Sequence, residues 1–429
     1  MFRTRQGSPS RGSVLSMSRA LSMSLALSLA MACSGPDGPG GPADRASHGE
    51  APGTPVTVDS LPLVAVGETP GDLNHEFHRV AAPFLLPDGT IVVPLREAAA
   101  IRLFHGDGTF REALGRPGEG PGEFRFLSTA WSRGDTVEAF DMDTRRITRF
   151  PPGEAPVTIP LEPGPSLDLV VPGSAGSSGA EGVSGSGGSG REEGGWVLVG
   201  VEAIGSDGRD RVVLHRFGPD GAHGGRVAEI GGLLRGVTPQ EGRGPIPLSP
   251  RAAFAAGGGE LFLGETLTPR IQVLDREGTL LREIAWEVEG DRSPLRAQEA
   301  VAESVALLRG GEDPGEQAAL REVIRGASRP PTLPAWAGLL VDPLGFLWVR
   351  PYDPLVHATP LGGLTSPGPG GTWLLFTREG APAGSVEIPA GLEPTWIGED
   401  RLVGIRRDPL GVESVRVHEL HRQPGREAP

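Results

Sequence analysis

Apolar and polar residues alternate with a period of two along most of the chain after about Val56, and the alternating runs come in pairs joined by Asp-Gly or Glu-Gly turns. That combination is the signature of a β-hairpin. One hairpin recurs five times, as Ile101 to Leu114, Ile147 to Ile159, Val213 to Ile230, Ile271 to Ile284 and Trp373 to Ile388. A second hairpin precedes most copies: Phe84 to Val93, Ala130 to Phe140, Phe254 to Leu263 and Leu340 to Val349. In the third unit Leu167 to Val171 and Trp196 to Val199 fill that place, separated by a Gly/Ser tract over 173–195. A sixth unit comprises Pro394 to Ile405 and a single further strand, Ser414 to Leu420.

Two hairpins per unit make four strands, the content of one propeller blade, and the spacing from Phe104 to Phe150 matches one blade repeat. The expectation is an all-β, six-bladed β-propeller over 56–422. Because the sixth unit offers only three strands, the segment Val56 to Val66 is expected to supply its outer strand and close the ring, leaving no open edge. One segment breaks the pattern. Over 293–326, Ser293-Pro294 and Asp313-Pro314 each read as an N-cap followed by Pro in the first turn, and Gly310 and Gly326 close the two helices they open. Val301, Val305 and Leu308 form one apolar stripe and Leu320, Val323 and Ile324 the other, so a small helical insertion on the rim is predicted.

Upstream of Val56 the periodicity disappears. Residues 1–32 carry Arg3, Arg5, Arg11 and Arg19 with no acid, then an apolar run from Ala20 to Ala32, which reads as a secretory signal peptide too short to span a bilayer. Cys33 follows directly and is the only cysteine in the chain. Two readings stay open: acylation of Cys33, with Leu29 to Cys33 serving as a lipobox whose Leu stands one place early, or cleavage after Ala30-Met31-Ala32 to free a soluble protein. A lone cysteine at this position favours lipidation, and Ser34 after it favours the outer membrane. Residues 33–55, rich in Gly, Pro, Ser and Asp, are expected to be a disordered tether, and 423–429 a disordered tail.

Composition then narrows the chemistry. The formal charge of -14 becomes more negative once the four leader arginines are removed, which argues against nucleic acid and against anionic headgroups. All 40 basic residues are arginine, so lysine-based catalysis is excluded.

Leu114 to Phe124 (LGRPGEGPGEF), followed by Gly134-Asp-Thr-Val137 and by Asp141, Arg146, Ile147 and Phe150, resembles the signature of six-bladed β-propeller lipoproteins of Bacteroidetes- and Gemmatimonadetes-type bacteria, which are related to NHL-repeat proteins. The resemblance implies the fold and export and leaves the activity open. Physically, glycines at 115, 118, 120 and 122 allow positive φ where the chain crosses between blades, and Phe124 can wedge into the seam. A strand follows this stretch where a phosphate-binding loop requires a helix.

Candidate catalytic groups are few. There is one tyrosine, Tyr352, and one asparagine, Asn74, so the ligand set of the calcium-dependent propeller lactonases, which resemblance would otherwise bring to mind, has almost no Asn to draw on. His75 and His78 would share a face only on a helix, and His105, His215 and His418 fall on outer strands, so no metal cluster and no cofactor are expected. Superposing the units places Arg96, Asp141, Glu202, Glu265, Arg350 and Arg406 at the same end of the second strand of each blade, with Tyr352, Asp353 and Arg407 close by. This predicts a charged ring at one mouth of the channel, able to grip a carboxylate or phosphate through forked hydrogen bonds, against the simpler reading of rim residues paired among themselves. The expected function is a monomeric binding module at the cell envelope for a protein, peptide or glycan, touching the membrane only through Cys33. The alternative is a hydrolase or lyase working at the same mouth.

Overall fold

The computed structural model describes residues 56–69, 71–163, 195–238, 242–358, 370–408 and 410–423. The expectations for the signal peptide, Cys33, the tether, Leu167 to Val171, most of the Gly/Ser tract and the end of the tail lie outside the described residues.

Six antiparallel four-stranded sheets form a ring, a six-bladed β-propeller. Blade 1 contains Phe84–Leu85, Ile91–Leu95, Ala100–Phe104 and Phe110–Leu114; blade 2 contains Leu127–Arg133, Thr136–Asp141, Arg146–Phe150 and Val157–Pro160. Blade 4 contains Ala252–Gly257, Glu260–Glu265, Arg270–Leu274 and Leu280–Ala285; blade 5 contains Trp336–Val341, Leu347–Pro351, Gly371–Phe376 and Pro382–Ile388. First strands of neighbouring blades approach one another around the axis, as between blades 4 and 5. Blade 3 reaches four strands differently. Its described sheet begins with Trp196–Ile204 and Arg209–Phe217, and the long strand His223–Thr238 bends beyond Leu234 to pair Arg235 through Thr238 with Gly242–Pro245.

Blade 6 orders Leu392–Ile397, Arg401–Arg407 and Glu413–Arg422, with Val56–Val66 as its outer strand. The first and last strands of the ring therefore pair, and the edge that Glu413–Arg422 would expose is covered.

Each blade is apolar on both faces because it is sandwiched between two others, and every seam holds a cluster of buried side chains. Phe84, Val92 and Ile101 meet Phe124, Leu127 and Ala139 between blades 1 and 2; Trp348 and Trp373 meet Leu392, Leu402 and Leu420 between blades 5 and 6. Phe124 is wedged as the sequence predicts. Gly115 (φ 77°) has no room for a side chain, since a Cβ there would stand 2.3 Å from the Phe124 ring. Positive φ is adopted at 115, 118 and 122 but not at Gly120, whose N–H instead binds the Glu123 carboxylate.

The insertion folds as α1 (Pro294–Arg309) and α2 (Pro314–Gly326), with Ser293 and Asp313 at the N-cap positions. The Asp313 carboxylate accepts from the N–H groups of Gly315 and Glu316, while Ser293 makes no side-chain cap bond. The buried stripe of α1 is Ala297, Val301, Ala302, Val305 and Ala306; Leu308 faces solvent at 60% exposure. Small residues fill the stripe because α1 lies close against Leu248, Leu333 and Ala358, with Tyr352 and Leu355 beside them. Rather than decorating the rim, the insertion packs on the segment that carries Tyr352. Among the described residues no helix is long and apolar enough to cross a membrane.

Candidate functional site

The second strand of each blade ends on one face of the ring, and the inner strand of the same blade begins beside it: Ala252 is opposite Glu265, Gly338 opposite Arg350, and Leu392 opposite Arg406. Charged residues at either position therefore reach the same mouth. The structure divides the predicted ring into separate groups.

Asp141 is wholly buried and accepts from the N–H groups of Arg125, Phe126 and Thr144, so its carboxylate anchors the loop into blade 2. Glu265 binds the Arg209 guanidinium and the Gly231 N–H. It lines a cleft of about 410 Å³ between blades 3 and 4 in which Arg211 pairs with Glu229 and Arg270 with Glu283. Arg96 spans the seam between blades 1 and 2 by donating from Nε to the Ser128 carbonyl (2.8 Å), with burial lowering the pKa of its guanidinium. Arg406 lies within Coulombic reach of Glu68, and Arg407 pairs with Glu413. Glu202 stands on its strand at a register shift between Val201 and Ala203, and its side chain lies outside the described residues. Apart from Glu202, each of these residues is engaged with partners of its own.

Arg350 and Tyr352 do come together, and three residues that the sequence reading missed join them: Arg251, His357 and Glu393. Arg350 is 5% exposed, donates from Nη1 to both Glu393 oxygens at 3.0 Å, and stacks its guanidinium 5.6 Å from the Trp373 ring centre. Arg251 immediately precedes the inner strand of blade 4 and donates to the His357 carbonyl (3.2 Å). Burial lowers its pKa; Tyr352 and Glu393 act in the opposite sense and Arg350 in the same one, so the four groups share one electrostatic neighbourhood.

Tyr352 leads into a single helical turn, α3 (Pro354–His357), which Asp353 caps through the Leu355 N–H. This turn folds His357 back over the phenol at 5.5 Å between ring centres. The Tyr352 hydroxyl is buried and has no hydrogen-bond partner among the described residues. Burial raises its pKa above the ordinary phenol range, partly opposed by Arg251. His357 accepts at Nδ1 from the Asp353 N–H (2.9 Å), and its pKa is held well below the usual imidazole range by burial first and by Arg350 and Arg251 next. The imidazole is neutral at pH 7. Among the described residues the Arg251 and Arg350 guanidiniums stand here with the Glu393 and Asp353 carboxylates nearby, in a chain of formal charge -14.

No protein-family model matches the chain, and no curated protein matches it by sequence. Among solved structures, a protein described as exported from Bacteroides fragilis is 11% identical, covering 86% of this chain and 96% of that one with a TM-score of 0.46. A DUF4221 family member from Bacteroides vulgatus is 8% identical, covering 86% and 99% with a TM-score of 0.47. A gluconolactonase of Xanthomonas campestris is 13% identical, covering 81% and 87% with a TM-score of 0.41. These are likenesses of fold.

His75 and His78, from which the sequence led us to expect no metal site, stand in different settings. His75 ends a 3-10 turn (Leu73–His75), accepts from the Gly67 N–H and packs edge-on to Phe104, while His78 is exposed.

Arg251 and Glu393 carried a usable signal, because both stand where inner strands begin at the mouth. His357 carried none, since nothing in the local pattern tells of a one-turn helix folding back over Tyr352.

Proposed function

We propose that this propeller is an exported binding module whose channel mouth, between blades 4 and 6, takes the carboxylate of a ligand with an apolar body. The observation that carries the reading is the buried Tyr352 hydroxyl, which has no hydrogen-bond partner among the described residues and stands beside the Arg251 guanidinium, itself close to the Arg350–Glu393 pair. A buried hydroxyl left unbonded costs about 1–3 kcal/mol, and a ligand oxygen placed between Tyr352 and Arg251 would satisfy it. The apolar body would lie toward Leu355, Leu333 and Leu248, which α1 and α2 support. Cys33 would tether the module to the outer membrane.

Calorimetric titration with N-acetyl-leucine and with its uncharged amide tests this. The acid should bind and the amide should not, and Arg251→Gln or Tyr352→Phe should weaken the acid by about tenfold, the worth of one charge-assisted hydrogen bond. Equal binding of acid and amide would refute a carboxylate site.

The second reading, a hydrolase or lyase, is favoured by one observation, the neutral imidazole of His357 beside Tyr352, which accepts at Nδ1 from the Asp353 N–H, keeps its proton on Nε2 and could donate a hydrogen bond to a developing oxyanion. Mass spectrometry of ligands recovered after incubation separates the two, since a binding module returns them unchanged.

A further inference from the structure

Where the ring closes, the pairing of Val56–Val66 with Glu413–Arg422 is interrupted. Val58 is opposite Leu420 and Pro62 opposite His418, so Asp59, Ser60 and Leu61 together face the single residue Glu419. Such a bulge forfeits ladder bonds, and it re-aims a side chain. Here that side chain is Asp59. The Asp59 carbonyl is held by His418 Nδ1 (2.8 Å), and its carboxylate reaches His421 Nε2 at 3.0 Å. The ligand atoms of Asp59, Glu419 and His421 all lie within 4.8 Å of one another. Glu419 is half-buried and its carboxylate has no hydrogen bond or ion pair among the described residues, although Arg401 is its neighbour in the ladder; the Arg401 guanidinium turns to Asp400 instead. Two carboxylates held this close repel each other unless a cation is shared between them.

We propose that Asp59, Glu419 and His421 bind a divalent first-row metal ion of the Zn2+ type, and that the ion clips the first strand of the propeller to its last. One imidazole nitrogen and two carboxylate oxygens form a donor set suited to Zn2+, with the exposed side left for water as a fourth ligand; Ca2+ favours an all-oxygen shell. The contributing residues lie at opposite ends of the chain, so the ion stabilises the closed ring over any form in which Val56–Val66 has come away, and folding and binding are linked by mass action. This site is independent of the mouth.

The test uses the full chain carrying Cys33→Ser, which removes the sole thiol, stripped with chelator and titrated with ZnCl2. One equivalent should bind and raise Tm by several degrees. Glu419→Gln and His421→Gln, each checked for native circular dichroism, should weaken binding by about tenfold or more and abolish the rise in Tm. His78→Gln, at an exposed histidine outside the cluster, should change neither. Absence of stoichiometric binding, or binding equal in the double variant Glu419→Gln/His421→Gln, would overturn the assignment. A simple Asp59–His421 ion pair would show itself as a pH-dependent Tm that is indifferent to Zn2+, which also overturns it.

Discussion

Glu138 is wholly buried in the seam between blades 2 and 3, and its two oxygens accept from the indole N–H groups of Trp131 and Trp196 (both 2.8 Å) and from Arg133 and Arg149. Burial alone would push its carboxyl up, but the Arg133 and Trp196 hydrogen bonds lead a set that holds it below the usual carboxylate range. Glu138→Leu keeps the bulk and strands two indoles and two guanidiniums. It should cost about 3–5 kcal/mol in urea unfolding, the penalty for breaking a buried ion pair from one side. A loss under about 1 kcal/mol would mean that the seam is held by packing alone. His357 sets a pH dependence of its own. Its folded pKa lies below the unfolded value near 6.5, so as pH falls past about 6.5 the unfolded chain takes up a proton that the folded one refuses. Stability should therefore drop in acid, by at most about 1.4 kcal/mol per pH unit from this group, with His418 acting in the same direction. His357→Gln should flatten that slope in denaturation curves taken between pH 7 and 5, and an unchanged slope would count against a buried neutral imidazole.

At the scale of elements, most of the architecture was legible because period-two alternation and turn residues act locally. The closing strand followed from counting: a sixth unit with three strands needs a fourth, and Val56–Val66 supplies it. Removing 56–66 should uncover the Glu413–Arg422 edge together with Val415 and Val417, and convert the monomer expected from the sequence into aggregates by size exclusion with light scattering. A synthetic 56–66 peptide added during refolding should restore the monomer; an unaltered monomer without the strand would show that closure is not needed. The starts of both helices were legible for the same local reason, since Pro after Ser293 or Asp313 acts within one turn, whereas Ser293 makes no cap bond and α2 runs through Gly326 to a C-cap at Ala327. The exposure of Leu308 was not, because the face a helix buries depends on the surface it meets, here Leu248, Leu333 and Ala358 from distant segments. The cluster of Asp59, Glu419 and His421 was hidden likewise, its members being joined only by closure of the ring.

For the whole molecule, superposing blades located the mouth but not its chemistry. Equivalent positions brought Arg96, Asp141, Glu265, Arg350 and Arg406 to matching strand ends, yet each blade spends its charge differently: on a loop at Asp141, on a cleft at Glu265, on a seam at Arg96. The asymmetry enters with the helical insertion and α3, which wall one side of the mouth and bury Tyr352 there. Because Tyr352 is the only tyrosine in the chain, it reports on the site without interference. Full-length protein labelled with 3-fluorotyrosine should give one 19F resonance. Titrated with N-acetyl-leucine, that resonance should shift and saturate; N-acetyl-leucine amide should leave it in place, and Arg251→Gln should abolish the response to the acid. A resonance indifferent to the acid, or moved equally by acid and amide, would contradict the account of the mouth as a carboxylate-binding site.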